Sequence, residues 1–403
     1  MNKAITSTEI LIPNVKDLTT WAVVACDQFT SEPEYWNALE NMVGDKPSAL
    51  RVTYPEIYLK DQPEKRIANI NSTMQQYLQN GLFTTLEKGF VLTIRKTPFV
   101  EKRIGLVAAV DLDEYDYAVG ARPLIRATEG TLKERIPPRL KIRKDAVMEF
   151  PHVMILIDDE KREIIEDLYN RRNTFKKIYS FTLNQGGGEL EGYFIPESEP
   201  VLEKFNNLLN EKRLTEKYGF NDKFLMAVGD GNHSLATAKA HWDNVKKDLK
   251  EGENHPAKYA LAEIVNIYDE GIYFEPIYRF INGIDREKFK KAFLAESGIT
   301  CVYYDGEEIV KNGAELPESI EKTDQFIKKF IDEFGGEVDY VHGKENVEKL
   351  VKQDENSVAI LFDKLEKGDL FRFVSNNGAL PRKTFSMGEG VEKRYYLEGR
   401  KIR

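Results

Sequence analysis

Hydrophobic and polar positions along the chain predict strands, hairpins and scattered helices. Apolar residues recur at helical spacing over 63–79, and Asn80–Gly81 follows as a stop signal. Further helices are predicted over 160–171, 200–217, 286–296 and 320–334. Apolar runs predict strands over 21–26, 90–95, 103–112, 147–157, 176–183, 190–195, 224–228, 259–267, 272–281, 358–363 and 370–375, with another near residue 300. This mixture favours an α+β fold over a regular alternation of strand and helix.

The length of 403 residues favours two or three domains. A change of pattern near 281–285 predicts a core over residues 1–282 and a smaller C-terminal α/β region over residues 283–403. Glycine and acidic residues over 305–318 predict a long surface loop within that second region.

The composition is that of a globular protein, with 41% apolar and 31% charged residues. No apolar run reaches the roughly 18 residues of a membrane span, and the N-terminus lacks a signal-peptide pattern. Cys26 and Cys301 lie far apart and match no zinc pattern. These features predict a cytoplasmic, reduced protein without a membrane partner. A homodimer remains open.

The formal net charge is −9. A general nucleic-acid-binding surface needs an excess of positive charge, so the charge argues against a nucleic-acid partner. Lysines and arginines crowd residues 382–403, where a solvated surface is the simpler interpretation.

The most informative motif follows the predicted strand over 224–228. Leu235, Ala238 and Trp242 share one face of a helix that begins just after it. Glycines let backbone approach a ligand closely, and a helix N-terminus binds anions such as phosphate. An ordinary turn followed by a helix cap is the alternative. The motif contains the candidate phosphate-binding residues Gly229, Asp230, Gly231, Asn232, His233 and Ser234.

A second candidate segment spans residues 126–139 and is rich in cations. Arginine binds phosphate oxygens through two parallel hydrogen bonds, so this segment suits a polyphosphate. Pro137–Pro138 is expected to hold it extended. A charged surface loop with local ion pairs is the alternative. The candidate ligand-binding residues are Arg126, Thr128, Lys133, Arg135 and Arg139, and Glu129 is a candidate base.

A third candidate segment follows the strand predicted over 21–26. Asp27 comes directly after that strand, and Glu32 lies at the start of a helix predicted through Trp36. Either carboxylate is a candidate general base or magnesium ligand. The alternative is structural, because Ser31 has the capping-box spacing and an acidic residue suits a helix N-terminus. His152 lies in an apolar strand and is interpreted as structural.

With these motifs in place, the sequence resembles the DUF 1015 family of bacteria and archaea. The resemblance covers nearly the whole chain in order, whereas Walker, GxGxxG and GxSxG motifs are absent. The matching segments are WAVVACDQFTSEPEYW from Trp21, IRATEGTLKERIPPRLKIR from Ile125, FPHVMILIDD from Phe150, SFTLNQGGGELEGY from Ser180, AVGDGNHSLATAKA from Ala227 and LPRKTFSMGEGVEKRYYLEGRKI from Leu380.

This resemblance implies a ParB/sulfiredoxin-like mixed-sheet core with inserted hairpins and helices. Relatives on that fold include free L-serine kinases, in which an Asp-Gly-His-His-Arg motif contacts nucleotide phosphates and an acidic residue serves as base. Asp230, Gly231 and His233 match this motif. Asn232 replaces its first histidine and Ser234 its arginine, so phosphate transfer needs positive charge from elsewhere in the chain.

The function expected from the sequence is that of a small-molecule kinase. It would transfer phosphate from ATP or ADP, with magnesium, to free L-serine or a similar hydroxylated metabolite. His233 would bind a phosphate oxygen, Asp230 would help to hold magnesium, and Asp27, Glu32 or Glu129 would accept the hydroxyl proton. The alternatives are a nucleotide-binding regulatory protein without turnover and a phosphohydrolase.

Overall fold

Two compact units divide the chain in the computed structural model, which describes residues 3–118, 120–131, 134, 136–219 and 222–403. The first unit comprises residues 1–272 and 389–403, and the second comprises residues 273–388. The predicted division after residue 282 differs from this one at two places. The strand that precedes residue 283 belongs to the second unit, and residues 389–403 return to the first.

The first unit combines a large mixed sheet with helices on both of its faces. Its strands are β1 (Ile5–Thr6), β2 (Thr8–Pro13), β3 (Val23–Val24), β4 (Phe83–Lys96), β5 (Arg103–Asp111), β6 (Tyr115–Asp116), β7 (Ile125–Ala127), β8 (Met148–Glu149), β9 (Met154–Ile157), β10 (Lys176–Thr182), β11 (Glu189–Pro196), β12 (Met226–Asp230), β13 (Tyr259–Asn266), β20 (Tyr395–Tyr396) and β21 (Arg400–Lys401). Its helices are α1 (Leu18–Trp21), α2 (Pro33–Val43), α3 (Pro63–Gln79), α4 (Ile136–Lys144), α5 (Ile165–Asn170), α6 (Val201–Asn207), α7 (Glu211–Tyr218) and α8 (Asn232–Val245).

The strand order of the large sheet is β10-β11-β4-β5-β13-β9-β12-β7-β6, with β1 paired to β5 and β2 to β4. Antiparallel pairs make up the first half, whereas β13 and β9 run parallel, as do β12 and β7. Two short pairs tie the C-terminal segment to this unit: β20 with β3, and β21 with β8. The fold is therefore a mixed α and β arrangement around one large mixed sheet.

Alternating side chains of the central strands fill two apolar cores on opposite faces of the sheet. In β4, Phe90 and Leu92 enter the core beneath α5, α6 and α8, whereas Val91 enters the core beneath α2 and α3. This period of two follows from the pleat of a strand. A sheet covered on both faces reads as a continuous apolar run, which is why these strands were recognisable from the sequence.

The second unit is built on an antiparallel sheet with helices packed against it. Its elements are β14 (Phe274–Asn282), α9 (Arg286–Ala295), β15 (Cys301–Tyr304), β16 (Glu308–Lys311), α10 (Leu316–Phe334), β17 (Glu337–His342), α11 (Lys344–Gln353), β18 (Val358–Leu361), α12 (Leu370–Asn377) and β19 (Phe385–Met387). The strand order is β16-β15-β18-β14-β17, with β19 paired to β14. Apolar side chains of α9 and α10 form one core with this sheet, and those of α11 form another.

Several predicted elements differ in the structure. The strand predicted over 147–157 forms two short strands, β8 and β9, and the helix predicted over 200–217 forms two helices, α6 and α7. Residues 370–375 form helix α12 instead of a strand, because a short apolar run suits either element. Pro137–Pro138 begins α4 instead of extending the chain, since proline is tolerated in the first helical turn. The loop predicted over 305–318 contains β16, and only Val23–Val24 of the strand predicted over 21–26 is extended.

No helix in the described part of the chain is both long enough and apolar enough to cross a membrane.

Candidate functional site

The turn between β12 and α8 lies at the edge of the large sheet. β12 ends at Asp230, whose Oδ1 accepts a hydrogen bond from the Gly231 N–H at 2.9 Å. Gly231 then takes the left-handed conformation, with φ of +80°, and α8 begins at Asn232. The chain reverses here in one residue because glycine has no Cβ to oppose a positive φ.

The same turn packs tightly against the chain that enters β9. β9 runs antiparallel to β12 with Met154 opposite Asp230, so the residues before Met154 reach the same edge. A Cβ added to Gly231 would lie 3.0 Å from the Cα of Val153. His152 is thereby held beside the start of α8.

Replacing Gly231 with alanine is expected to destabilise the fold more than the same change at Gly81. Both glycines have positive φ, but a Cβ at Gly81 meets nothing within 4 Å. Conformational strain of about 1–2 kcal/mol is common to both changes. Crowding against Val153 adds roughly 1–3 kcal/mol at Gly231 alone. Urea unfolding of the two variants measures the difference in the free energy of unfolding. Equal losses of stability would show that Val153 moves away from the added Cβ at no energetic cost.

His152 connects three segments that are distant in sequence. Its Nε2 lies 3.3 Å from the Ser234 Oγ and 3.7 Å from Asp27 Oδ2. Its Nδ1 lies 2.7 Å from the Tyr396 hydroxyl, which also accepts the Cys26 N–H at 3.0 Å. The distances to Tyr396 and Ser234 are within the range of hydrogen bonds, whereas the distance to Asp27 exceeds it.

The carboxylate of Asp27 is held in its ionised form. Burial raises its pKa, but the opposing effects of His152, a hydrogen bond from Gln28 and the charge of Lys393 are larger, so the pKa lies below its usual range. Burial has the opposite net result for the neighbouring thiol, because it raises the pKa of Cys26 to about 12. Asp27 is therefore a charged hydrogen-bond acceptor beside His152, whereas the Cys26 thiol stays protonated.

A lysine from the C-terminal segment completes the cluster. The Lys393 Nζ lies 3.3 Å from Asp230 Oδ2, and the main-chain carbonyl of Lys393 accepts a hydrogen bond from the Arg95 Nη1 at 2.6 Å. Asp230 is thus neutralised by an ammonium group. In the described residues, no group of three or more histidine, cysteine, aspartate or glutamate side chains is placed to hold a metal ion. The magnesium role of Asp230 stays a prediction.

The first turn of α8 carries no side-chain cap. N–H groups in the first turn of a helix have no intrahelical acceptor and favour an anion. Asn232 is 7% exposed, and its Oδ1 has no hydrogen-bond partner among the described residues. Such an atom is costly to bury unpaired, and a flip of the amide would present an N–H to an anion instead. The start of α8 therefore has unused capacity to bind a polar ligand.

The parallel pairing of β7 with β12 explains where residues 126–129 lie. Thr128 Oγ1 donates to the Val228 carbonyl at 2.7 Å and so supports the turn. Arg126 is 3% exposed, and its two terminal nitrogens bind Asp222 at 2.6 and 2.7 Å. Its guanidinium is committed to that carboxylate. Glu129 follows Thr128 at the same edge and is half-buried.

The other predicted residues have different surroundings. Arg139 forms an ion pair with Glu56 and lines a cavity together with His152. Glu32 is an exposed N-cap residue of α2 without a side-chain cap bond. Gly229 is the last residue but one of β12, and His233 is the second residue of α8. The predicted residues Lys133 and Arg135 lie outside the described residues.

Sequence reasoning missed three residues of this cluster: His152, Lys393 and Tyr396. His152 was interpreted as structural because its neighbours are apolar. Lys393 was assigned to a solvated basic terminus. The available signal was their occurrence within two of the segments that carry the family resemblance, FPHVMILIDD and LPRKTFSMGEGVEKRYYLEGRKI.

Several solved structures are similar to this chain at low sequence identity. A conserved hypothetical protein from Pyrococcus furiosus is 10% identical, with a TM-score of 0.37, and the match covers 74% of this chain and 95% of that one. A free serine kinase in complex with AMP is 10% identical, with a TM-score of 0.38 and coverage of 74% and 91%. C-terminally truncated SbnI from Staphylococcus aureus is 8% identical, with a TM-score of 0.36 and coverage of 70% and 82%.

Among proteins with curated descriptions, none matches this chain. The family model described as a protein of unknown function, DUF1015, matches residues 10–365. The chain therefore belongs to the DUF1015 family.

Proposed function

We propose that this protein binds a nucleotide through its phosphates at the start of α8 and transfers a phosphoryl group to the hydroxyl of a small metabolite. The observation that carries the proposal is the convergence of Asp27, His152, Ser234 and Lys393 beside the uncapped first turn of that helix. An anion site, a cation and an ionised carboxylate thus occupy one edge of the sheet.

The phosphate would lie on the backbone of the turn. Ser234 offers a hydroxyl, and the helix N-terminus favours negative charge. Ser234 stands where the serine-kinase motif has an arginine, and Lys393 supplies a cation from a distant part of the chain. Positioning and charge neutralisation are most of what phosphoryl transfer requires from a protein.

Asp27 would accept the proton of the acceptor. As the hydroxyl oxygen forms its bond to phosphorus, the bond from phosphorus to the leaving nucleotide oxygen breaks, and the hydroxyl proton passes to the carboxylate. His152 lies 3.7 Å from that carboxylate, and its ring is in hydrogen-bond contact with Tyr396 and Ser234. Among the described residues no group of three metal-ligating side chains includes Asp230, and no step of the proposed transfer requires a metal ion.

Two finer statements belong to the same proposal. The core is proposed to be ParB/sulfiredoxin-like, and the acceptor is proposed to be free L-serine or a similar hydroxylated metabolite, with ATP or ADP as donor. Both rest on the resemblance of the sequence motifs. The structural neighbours, with TM-scores below 0.5, do not support either statement.

Incubation with ATP or ADP, magnesium and a panel of hydroxylated amino acids, followed by phosphorus NMR, tests the proposal. A phosphorylated acceptor is expected. Replacing Lys393 with alanine should weaken nucleotide binding about tenfold, or about 1.4 kcal/mol, whereas the same change at the exposed Lys401 should not. Absence of both nucleotide binding and product would overturn the proposal. Binding without turnover would indicate a regulatory protein, and release of phosphate to water would indicate a hydrolase.

A further inference from the structure

A cavity of about 160 Å³ lies inside the first unit, where the apolar cores on the two sides of the sheet meet. Leu235 and Ala238 of α8 reach it from one core. Met74 and Ile402 reach it from the other.

The lining of the cavity is mainly apolar. An apolar space of roughly 150 Å³ is large enough to accept a molecule the size of benzene. The large apolar side chains around it are those of Leu59, Met74, Ile142, Met148, Phe150 and Leu235. A ring-sized apolar group that entered this space would bury its apolar surface away from water. The protein would not need to rearrange to make room for it.

Charged side chains in the wall neutralise one another. Arg139 forms an ion pair with Glu56, and Arg143 forms one with Glu149, with an Nη2–Oε2 distance of 2.5 Å. The wall therefore presents no unbalanced charge to an occupant. A neutral group fits this environment, whereas a carboxylate or an ammonium group would have to break a pair to gain a partner.

The cavity adjoins the candidate site through shared lining residues. Cys26, His152, Ser234 and Tyr396 line it, and Asp27 lies 3.7 Å from His152 Nε2 at the same place. A molecule inside the cavity would thus present its polar end to Asp27 and Ser234. The apolar end would lie among the side chains named above.

We propose that the acceptor of this protein carries a neutral, ring-sized apolar group that occupies this cavity, with its hydroxyl directed to Asp27. The inference rests on the proposed function and specifies its substrate class. Among the hydroxylated metabolites proposed as acceptors, L-serine itself would leave the cavity empty, and a larger and less polar one would fill it.

Isothermal titration with benzyl alcohol tests occupancy without requiring catalysis. Saturable binding is expected with a Kd on the order of millimolar, since the probe is small. Replacing Ala238 with leucine should fill part of the cavity and weaken binding at least about tenfold. The matched control is Ala240→Leu in the same helix, at a residue that does not line the cavity, and it should bind normally.

Ala146→Leu is a second cavity-filling variant, in the segment between α4 and β8. It keeps the test valid if the Ala238→Leu variant fails to fold. Both filling variants should keep or raise the melting temperature, because they fill space without exposing polar groups. Nucleotide binding, measured separately, should be unchanged in both.

Each other outcome has a definite meaning. Nucleotide binding without benzyl alcohol binding would overturn the inference and leave the proposed function standing. Displacement of benzyl alcohol by adenosine alone would place the nucleotide base in the cavity and also overturn it. Benzyl alcohol binding together with failure of every phosphoryl-transfer assay would overturn the proposed function and, with it, the acceptor role of the cavity.

Discussion

Replacing Asp27 with asparagine should reduce phosphoryl transfer by about 10²–10⁴-fold, the usual contribution of a general base. Asparagine has the same shape but cannot accept a proton from the acceptor hydroxyl. Asp27 is the ionised carboxylate nearest to His152, and its pKa is held low by His152, Gln28 and Lys393 despite the effect of burial. The turnover number should fall, while nucleotide affinity should change little.

The measurement compares initial rates of the two proteins at saturating nucleotide. Glu34→Gln is the matched control, because Glu34 is an exposed carboxylate in the first turn of α2, near Asp27 in sequence. It should retain full activity. If the Asp27 variant keeps more than about half of the rate, the base lies elsewhere. Glu129 would then be the next residue to test.

Replacing Arg394 with alanine should destabilise the first unit by about 3–5 kcal/mol, the usual cost of breaking a buried ion pair. Arg394 is 5% exposed and binds Glu263 at 2.6 Å and Glu398 at 2.5 Å. Its Nε also donates to the Pro151 carbonyl at 3.2 Å. Removing the guanidinium would leave two carboxylates buried without their cation.

Urea denaturation checks this expectation, with Arg66→Ala as the control. Arg66 pairs with Asp61 at 2.7 Å, but both side chains are more than one-third exposed, so that loss should stay below about 1 kcal/mol. Equal effects of the two changes would mean that water reaches the buried network and solvates it. Since Arg394 lies beside Lys393 and holds the residue before His152, its loss should also lower activity at temperatures where the protein stays folded.

Local signals in the sequence were sufficient for many elements. α3 spans residues 63–79 as predicted, because helical spacing, an initial proline and a stop signal all agree there. Local signals were insufficient where a short sequence pattern is compatible with two kinds of secondary structure. The apolar run from Leu370 became α12, and the two prolines after Ile136 began a helix instead of preventing one.

The candidate site was predictable only in part, and for a related reason. Asp27 and Ser234 were identified because each follows a strand or begins a helix, which is a local feature. The contacts that bring them together are long-range: His152 lies 82 positions from Ser234 and 244 from Tyr396. Periodicity and capping report only on neighbours in sequence, so Lys393 and Tyr396 could not be found by them.

The return of residues 389–403 to the first unit has a consequence for how the protein matures. Cys26 and Tyr396, which meet through a hydrogen bond, are 370 positions apart. During synthesis, the whole second unit must emerge from the ribosome before β20 can pair with β3. Until then the candidate site lacks its lysine and the tyrosine that contacts His152, so a nascent chain would carry an incomplete site. Assembly of the site is thereby coupled to the synthesis of residues 389–403.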